Sequence, residues 1–330
     1  VIPPPSVGLT VDRDGTLLLA EFGDGRVRQI DRGGTITNFA GTGSGAIGKP
    51  PPAFVTEVQA GASGVSVDAY GEIDLSGLAI RHIERTGFVR VIAGWPGTWG
   101  YRGDGGPATS TSPATSALLC QAWDFARDPS GNLFIADTNN NRIRRVDART
   151  GIITTVVGNG GPINGVEGYG LGKSSGDGGL AIDAAINTPY GVAFDPAGNL
   201  YIACKAIRKV DAATGRISTF AAIPGTTKLV FDAAGNLYAS TGAGVFKIDP
   251  TGTRTFLAGK DGTASDMGFA GDGGPASAAK VHISGQAAGL AIDPDGNLYF
   301  YDDGRVRAIR GAAPAGPLRF PALPARLSNI

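Results

Sequence analysis

The chain has 330 residues and no formal net charge; 18% of its residues are charged, 53 are glycine and 21 are proline. A neutral chain has no overall field that would steer it to nucleic acid or to an anionic membrane surface, so neither is expected as a partner. Many glycines with 42% hydrophobic residues are typical of a turn-dense all-β protein, and no apolar run reaches the length of a membrane span.

A short pattern occurs six times along the chain and determines the predicted architecture. Each copy contains an apolar strand, a turn of the form Asp-x-x-Gly, and a second strand rich in Leu, Ile, Phe and Tyr. The copies begin at Thr10, Ser66, Ala126, Ala193, Val230 and Ala291. Such self-similarity indicates stacked units, none of which can bury its apolar face alone.

Each copy continues into two further strands. The third alternates basic and apolar residues, as in residues 25–31 and 141–147, and the fourth is rich in β-branched residues, as in residues 151–158. Alternation with a period of two and glycine-bearing turns indicate β-strands, and four antiparallel strands make one propeller blade. The sequence therefore predicts an all-β, six-bladed β-propeller of four-stranded antiparallel blades, a single domain over residues 1–330.

The predicted blades begin near residues 8, 64, 124, 191, 228 and 289. Blade 6 has three clear strands, and its fourth is expected from residues 317–323, with the N-terminal residues 1–6 as the alternative. Residues 311–330 would then either close the ring or form a tail. The prolines in both segments suit an edge strand, where a missing N–H costs no ladder bond.

The aspartate of the turn recurs in every copy, as Asp12, Asp68, Asp128, Asp195, Asp232 and Asp293. A carboxylate in this position can accept hydrogen bonds from the N–H groups of its own turn. Because each aspartate recurs together with its turn, we interpret the six as turn residues rather than as a ring of metal ligands or of acid–base groups.

These repeats closely resemble those of the NHL-repeat family of β-propellers, of bacterial type. The resemblance is strongest in residues 195–203 (DPAGNLYIA) and 128–147 (DPSGNLFIADTNNNRIRRVD), and it covers almost the whole chain. The first two copies depart from the pattern, with Thr16 and Glu72 where the others have Asn. The family includes sensor ectodomains, protein- and RNA-binding modules and lyases, so the resemblance implies the fold but not the function.

The connections between blades are uneven in length. The turn aspartates are 37 residues apart from Asp195 to Asp232 but 67 apart from Asp128 to Asp195, whereas a bare blade takes about 35–45 residues. Four of the five connections therefore carry insertions. In a propeller these loops lie on the same side as the loops between second and third strands, so the sequence predicts one loop-rich side that binds a partner.

Three insertions contain the sequence Gly-Asp-Gly-Gly, with Asp104, Asp177 and Asp272 between the glycines. An aspartate just before Pro-Ala or Leu-Ala suits the cap of a short helix. Calcium ligation is the alternative, although the dense oxygen-ligand spacing of a calcium loop is missing.

Charged residues interrupt the pattern near the propeller axis. Four copies have glycine four positions before the turn aspartate, but the third and fifth have Asp124 and Lys228, and Arg127 stands where the other copies have an apolar residue. Charges near the axis need partners or water. The three residues are interpreted either as a salt-bridge plug or as a cluster that orients a ligand.

Five residues are expected to border the same mouth of the channel and to bind a ligand: Cys120, Trp123, Asn187, Tyr190 and Cys204. A cleft with aromatic walls and few polar groups has the general form of a small-ligand site. The aromatic residues of the long loops, which are Trp95, Trp99, Tyr101, Tyr169 and Phe269, either add to such a site or pack the loops onto the ring. The two cysteines form a disulfide or stay free.

The chain has two histidines, which excludes a zinc site of three histidines. His82 is expected at the surface or between blades. If the protein is an enzyme, the catalytic candidates are His282 as base, Asp124 as acid or metal ligand, and Arg127 or Lys228 as a group that stabilises an anionic intermediate. No cofactor is predicted, the metal ligands are unassigned, and a calcium ion at the axis is compatible with the sequence.

The leading hypothesis is an exported propeller, secreted or periplasmic, that binds a protein or small-molecule ligand through its loop-rich side without catalysis. A proline-rich start, few lysines and a single methionine are compatible with export. The alternative is a propeller lyase or lactone hydrolase with its active site at the mouth of the central channel.

Overall fold

The computed structural model of the protein describes residues 7–21, 25–41, 53–54, 63–68, 71–110, 112, 114–160, 174–259, 268–283 and 289–316. The strands in this part of the chain form six separate antiparallel sheets. The only helical elements among these residues are three-residue 3-10 turns, for example at Thr138–Asn140.

The strands follow one another blade by blade. Blade 1 contains β1 (Val7–Val11), β2 (Leu17–Glu21), β3 (Arg26–Ile30) and β4 (Ile36–Ala40). Blade 2 contains β5 (Ala53–Phe54), which pairs with β9, and then β6 (Val65–Val67), β7 (Ile73–Leu75), β8 (Ala79–Ile83) and β9 (Phe88–Gly94). Blade 3 contains β10 (Ala122–Arg127), β11 (Leu133–Asp137), β12 (Arg142–Val146) and β13 (Ile153–Val157).

Blade 4 contains β14 (Gly191–Phe194), β15 (Leu200–Ala203), β16 (Ile207–Val210) and β17 (Ile217–Ala221). Blade 5 contains β18 (Thr226–Phe231), β19 (Leu237–Thr241), β20 (Gly244–Ile248) and β21 (Arg254–Gly259), and blade 6 contains β22 (Leu290–Ile292), β23 (Leu298–Asp302) and β24 (Arg305–Ile309). The prediction of a six-bladed β-propeller is confirmed.

The strand order defines two sides of the ring. The first strand of each blade lines the axis and ends in the Asp-x-x-Gly turn, so all six of these turns lie on one side, which we call the turn side. The connections between second and third strands and between successive blades lie on the other side, which we call the loop side. Both proposed closing segments of blade 6, residues 317–323 and 1–6, lie outside the described residues.

After β24 the chain crosses the turn side towards the axis. The N–H of Gly311 donates to Oδ1 of Asn297, and the N–H of Gly316 donates to the carbonyl of Pro294, at 3.2 and 3.0 Å. The hydroxyl of Tyr238 in blade 5 donates to the carbonyl of Ala312 at 2.9 Å. These contacts attach the segment to the turns of blades 5 and 6.

Apolar side chains between neighbouring blades form the core. Alternate residues of a strand point to opposite faces of its sheet, so each blade can pack against both neighbours. Leu19 of blade 1 and Tyr301 of blade 6 belong to one cluster and are completely buried, so this packing closes the ring. Between blades 3 and 4, the rings of Phe134 and Phe194 meet edge to face at 4.9 Å.

The turn aspartates behave as the sequence predicts. In blade 5 the Oδ1 of Asp232 accepts the N–H groups of Ala234 and Asn236, and its Oδ2 accepts the side-chain amide of Asn236 at 2.7 Å. Carboxylates of the other five copies also accept N–H groups of their own turns. The interpretation of these six residues as turn residues is confirmed.

Glycines at the loop-side ends of the first strands allow neighbouring blades to approach closely. A Cβ atom on Gly8 would lie 2.9 Å from the Cα of Gly64, and one on Gly191 would lie 2.6 Å from the carbonyl oxygen of Thr227. Both obstacles are backbone atoms, which cannot move aside as a flexible side chain can. The strands therefore converge here because these positions carry no side chain.

Replacing Gly191 by Ala should therefore destabilise the fold. We expect the free energy of unfolding to fall by about 1–3 kcal/mol, the usual cost of inserting atoms into a packed region. Gly242→Ala is the matched control, because its nearest obstacle is 3.9 Å away, and it should change stability by less than about 0.5 kcal/mol. Urea unfolding followed by tryptophan fluorescence measures both, and equal stabilities would contradict the close approach.

Candidate functional site

A single ion pair bridges the loop-side mouth of the channel. The ammonium of Lys228 in blade 5 donates to Oδ1 of Asp124 in blade 3 at 2.5 Å, and the N–H of Val192 in blade 4 donates to Oδ2 at 3.1 Å. The side chains of Asp124 and Lys228 are 4% and 17% exposed. Together with the adjacent glycines, this pair fills the narrow end of the channel, as expected of a salt-bridge plug.

Arg127 does not join this pair, so the expectation that it converges with Asp124 and Lys228 is wrong. It lies three residues further along β10, about 10 Å towards the turn side. Its Nε and Nη2 donate to Oδ2 of Asp74 in blade 2 at 3.0 and 2.6 Å, and its Nη1 donates to the carbonyl of Gly131 at 3.1 Å.

Asp74 connects Arg127 to a buried histidine. The Nδ1 of His82 lies 2.7 Å from Oδ1 of Asp74, and its Nε2 lies 3.2 Å from Oε2 of Glu72. Asp74 and His82 face each other across β7 and β8, and the side chain of His82 is 7% exposed. His82 thus lies on the face of blade 2 that packs against blade 3, which was one of its two expected positions.

Two carboxylates and one guanidinium determine the protonation of this network. Burial by itself lowers the pKa of His82, but the hydrogen bond and the charge of Asp74 outweigh it, so the pKa of His82 lies above its ordinary value of 6.5. Burial likewise raises the pKa of Asp74, but Arg127 and His82 together bring it below 3.8. The two carboxylates therefore favour the imidazolium form of His82.

Three of the predicted ligand-binding residues offer little surface. Trp123, Asn187 and Cys204 are 7%, 1% and 3% exposed, whereas Cys120 and Tyr190 are half-buried. The thiol of Cys204 donates to the carbonyl of Ala206 at 3.1 Å within the apolar core between blades 3 and 4. Both cysteines are free thiols, so the expected alternative of a disulfide is wrong.

A cluster of buried polar groups on the loop side was not predicted. Oδ1 of Asp137 accepts the N–H of Cys120 at 2.7 Å, and its Oδ2 accepts the side-chain amide of Asn140 at 2.8 Å. The same amide donates to the carbonyl of Gly100 at 2.8 Å and so fixes the loop above it. Burial raises the pKa of Asp137 to about 6, although Arg144 and these donors oppose the shift.

The aspartates of the Gly-Asp-Gly-Gly insertions are ion-pair partners of buried arginines in the third strands. Arg144 contacts Asp104 at 2.7 Å, and Arg307 contacts Asp272 at the same distance. A third pair joins Arg208 to Asp177. The short turns in two of these insertions begin at Leu180 and Pro275 without a side-chain cap. The helix-cap interpretation is wrong, and the arginine partners leave the calcium alternative without support.

A signal for these pairs was present in the sequence. Blade 5 lacks the insertion, and its third strand has Phe246 in the place of the arginine, packed on the ring of Phe256 at 4.6 Å. The insertion and the arginine are thus present together or absent together in blades 3 to 6. By contrast, the partners of His82, which are Glu72 and Asp74, lie in the second copy, which departs from the repeat pattern. Their positions two residues apart, at the start of the strand that pairs with β8, were the signal for this network in the sequence.

Two exposed aromatic rings stack on arginines at the loop-side ends of the third strands. The guanidinium of Arg142 lies 3.8 Å from the ring centre of Tyr101, and that of Arg305 lies 4.2 Å from the ring centre of Phe269. The hydroxyl of Tyr101 also donates to Oδ2 of Asp104 at 2.8 Å. Cation–π contacts and this hydrogen bond fix the orientation of the rings at the surface.

The four catalytic candidates lie in three separate places. Asp124 and Lys228 form the plug, Arg127 contacts Asp74, and His282 lies in the connection before blade 6. The N–H of His282 donates to Oδ1 of Asp302 at 2.6 Å, and its exposed imidazole lies 3.7 Å from Asp303. The described residues therefore do not bring the imidazole into contact with the other three.

The residues described at the axis do not fit a calcium ion. Calcium takes six to eight oxygen ligands, whereas the carboxylate of Asp124 at the loop-side mouth is occupied by the ammonium of Lys228 and the N–H of Val192. Elsewhere in the described part of the chain, no three His, Cys, Asp or Glu side chains form a group that could hold a metal ion.

The channel itself contains a cavity of about 910 Å³ on the turn side of the plug. Residues of all six first strands line it, and so do Pro314 and Gly316 of the segment after β24. The cavity reaches Lys228 at its inner end and the turn residues Asp195, Asp232 and Asp293 at its outer end. The cavity lies on the turn side, whereas the sequence predicted a ligand site on the loop side.

Comparison with known proteins agrees with the architecture. The family model of the NHL repeat matches residues 119–146, which include β10, β11 and β12 of blade 3. The predicted NHL repeat is thereby confirmed for blade 3, in a chain that folds as a six-bladed β-propeller. No helix in the described residues is long and apolar enough to cross a membrane.

Several solved structures are similar in fold over most of the chain. A gluconolactonase from Xanthomonas campestris has a TM-score of 0.59 at 15% identity, with 92% of this chain and 84% of that chain covered. The calcium-binding protein regucalcin from Agrobacterium tumefaciens has a TM-score of 0.57 at 17% identity, with 98% and 95% covered. A streptogramin B lyase has a TM-score of 0.54 at 13% identity, with 93% and 94% covered. At these identities the likeness concerns the fold alone.

Breaking the plug should cost stability. Lys228→Met leaves the carboxylate of Asp124 buried without its cation, and we expect a loss of about 3 kcal/mol, the lower end of the range for buried pairs. The double variant Lys228→Met/Asp124→Asn should recover most of this loss. Arg90→Met removes an exposed pair with Glu84 and should cost less than about 1 kcal/mol. If the double variant lost as much stability as Lys228→Met alone, this result would contradict the pairing of Lys228 with Asp124.

The His82 network should make stability depend on pH. Because folding raises the pKa of His82, its contribution is complete below pH 6.5 and disappears as the pH rises through the folded-state pKa. The stability difference between the wild type and His82→Gln should therefore narrow from pH 6 to pH 9 in chemical denaturation. NMR titration of the imidazole in a His282→Gln background gives the pKa directly, and a midpoint below 6.5 would refute the proposed imidazolium.

Proposed function

We propose that this protein is a non-catalytic binding propeller that takes a protein partner or a ligand on its loop side. We also propose that the protein is exported to the periplasm or the medium, because the composition of its sequence is compatible with export. The gluconolactonase and the lyase share the fold, but their activities are not transferred to this chain at 13–15% identity.

The observation that carries the proposal is a set of large aromatic side chains held in exposed positions on the loop side. Trp99, Tyr101 and Phe269 are 61%, 37% and 48% exposed. Tyr101 and Phe269 are fixed by their arginine contacts, and the hydrogen bond from Asn140 to Gly100 fixes the backbone between Trp99 and Tyr101. Exposed aromatic side chains that lose little entropy on binding are typical of interface anchors.

The closed mouth favours binding over chemistry at this side. In the described part of the chain, Asp124 and Lys228 satisfy each other's charge, and Gly64 and Gly191 bring the backbones of blades 2 and 4 close to them. A substrate at this mouth would have to separate a buried ion pair before reaching either residue. A partner that contacts the aromatic rings at the rim needs no such change.

The proposal is tested with a photo-crosslinking amino acid at position 99, applied to the exported fraction of the cells that make the protein. The captured partner is then purified, and its affinity is measured by calorimetry. Trp99→Ser should weaken binding at least tenfold, about 1.4 kcal/mol, because a central aromatic contact is lost. Ile36→Ser, which changes an equally apolar exposed residue at the outer strand of blade 1 (42% exposed), should leave the affinity unchanged.

Two results would overturn the proposal. The first is an equal effect of Trp99→Ser and Ile36→Ser on the affinity. The second is turnover of a lactone or a streptogramin that disappears in the Lys228→Met/Asp124→Asn variant, which would support the alternative of a propeller lyase or lactone hydrolase with its active site at the channel mouth.

A further inference from the structure

The channel cavity has the size and the composition of a small-molecule site. Its volume of about 910 Å³ lies within the range of about 300–1,000 Å³ that is usual for ligand pockets. Asp232 at the outer end lies four positions after Lys228 at the inner end, which corresponds to a depth of about 13 Å along an extended strand. Phe125, Phe194 and Phe231 contribute aromatic surface to the walls.

The cations and the acids of the lining differ in their remaining hydrogen-bonding capacity. An ammonium has three N–H donors, and that of Lys228 has one acceptor among the described residues, Asp124. A guanidinium has five N–H groups, and Arg127 uses three of them on Asp74 and Gly131. Both residues line the cavity and therefore bring unused donors to it.

The acids that line the cavity are already occupied as acceptors. Asp232 accepts two N–H groups of its turn and the amide of Asn236. Asp293 accepts an N–H, an amide and the hydroxyl of Tyr299. A carboxylate has about four acceptor sites, so these acids have little left to offer a cationic ligand. The unused hydrogen-bonding groups of the charged lining residues are therefore mainly the N–H donors of Lys228 and Arg127.

We propose that the turn-side cavity binds a small amphipathic anion, which has an apolar or aromatic body and one carboxylate or sulfonate group. The body lies between the first strands, and the anionic group lies at the inner end against the ammonium of Lys228. Of the six residues at that level, which include Gly8, Gly64 and Asp124, Lys228 is the one that lines the cavity in the described structure. The ligand enters from the turn side, so this site is independent of the loop-side partner.

A pair of fluorescent probes with the same aromatic body separates the two parts of the proposal. The anionic probe is 8-anilinonaphthalene-1-sulfonate, and the neutral probe is N-phenyl-1-naphthylamine. We expect one molecule of the anion to bind per chain, at least tenfold more tightly than the neutral probe. The variant Lys228→Met/Asp124→Asn should weaken the anion at least tenfold and leave the neutral probe unchanged, because it removes the ammonium without leaving an unpaired carboxylate.

A block applied after folding tests the location. In a Cys120→Ser background, Ala233→Cys places a thiol on an exposed residue of the cavity rim, and labelling with a bulky maleimide should abolish binding of both probes. Ala213→Cys, at an exposed turn between the outer strands of blade 4, is the labelled control and should bind normally. Labelling the folded protein avoids variants that fail to fold.

Three outcomes would overturn the proposal: no saturable binding of the anion below 1 mM, equal affinities for the two probes, or binding that persists after the rim is blocked. The last would place the probe elsewhere, for example on the exposed aromatic rings of the loop side. Trp99→Ser should leave the anion's affinity unchanged, so the failure of one proposal can be told from the failure of the other.

Discussion

The close approach of the first strands at the axis is the constraint on which the rest of the structure depends. Neighbouring backbones meet at Gly8, Gly64 and Gly191, where a Cβ atom would lie within about 3 Å of another blade. Two positions of the same ring carry charged side chains instead, and they fit because Asp124 accepts both the ammonium of Lys228 and the N–H of Val192. A plug and a one-sided cavity follow from this arrangement.

The insertions are attached to the ring by ion pairs in addition to apolar packing. Arg144, Arg208 and Arg307 are nearly buried in the third strands, and each contacts the aspartate of a Gly-Asp-Gly-Gly segment. A buried arginine that loses one of its carboxylate partners keeps its desolvation cost with less charge to offset it. This explains why blade 5, which has no such insertion, has Phe246 on Phe256 in the corresponding place.

The two sides of the ring therefore differ in chemistry. The loop side has a closed mouth and exposed aromatic rings at its periphery, which suits contact with a surface. The turn side opens into a cavity with aromatic walls and unused donors on Lys228 and Arg127. The network of Arg127, Asp74 and His82 lies between blades 2 and 3 and couples one of these donors to a titratable histidine.

The sequence by itself determined the architecture of the ring, because one sequence pattern is repeated for each blade. Six copies of one pattern predicted six blades, and each turn aspartate binds its own turn because the contact spans only a few residues. Contacts between distant segments were decided by tertiary structure: Arg127 was assigned to the axis cluster but meets Asp74 of the neighbouring blade, and Asp104 meets Arg144 rather than capping a helix. Such pairs depend on the direction of side chains across blade interfaces, and the spacing of residues along the chain does not contain that direction.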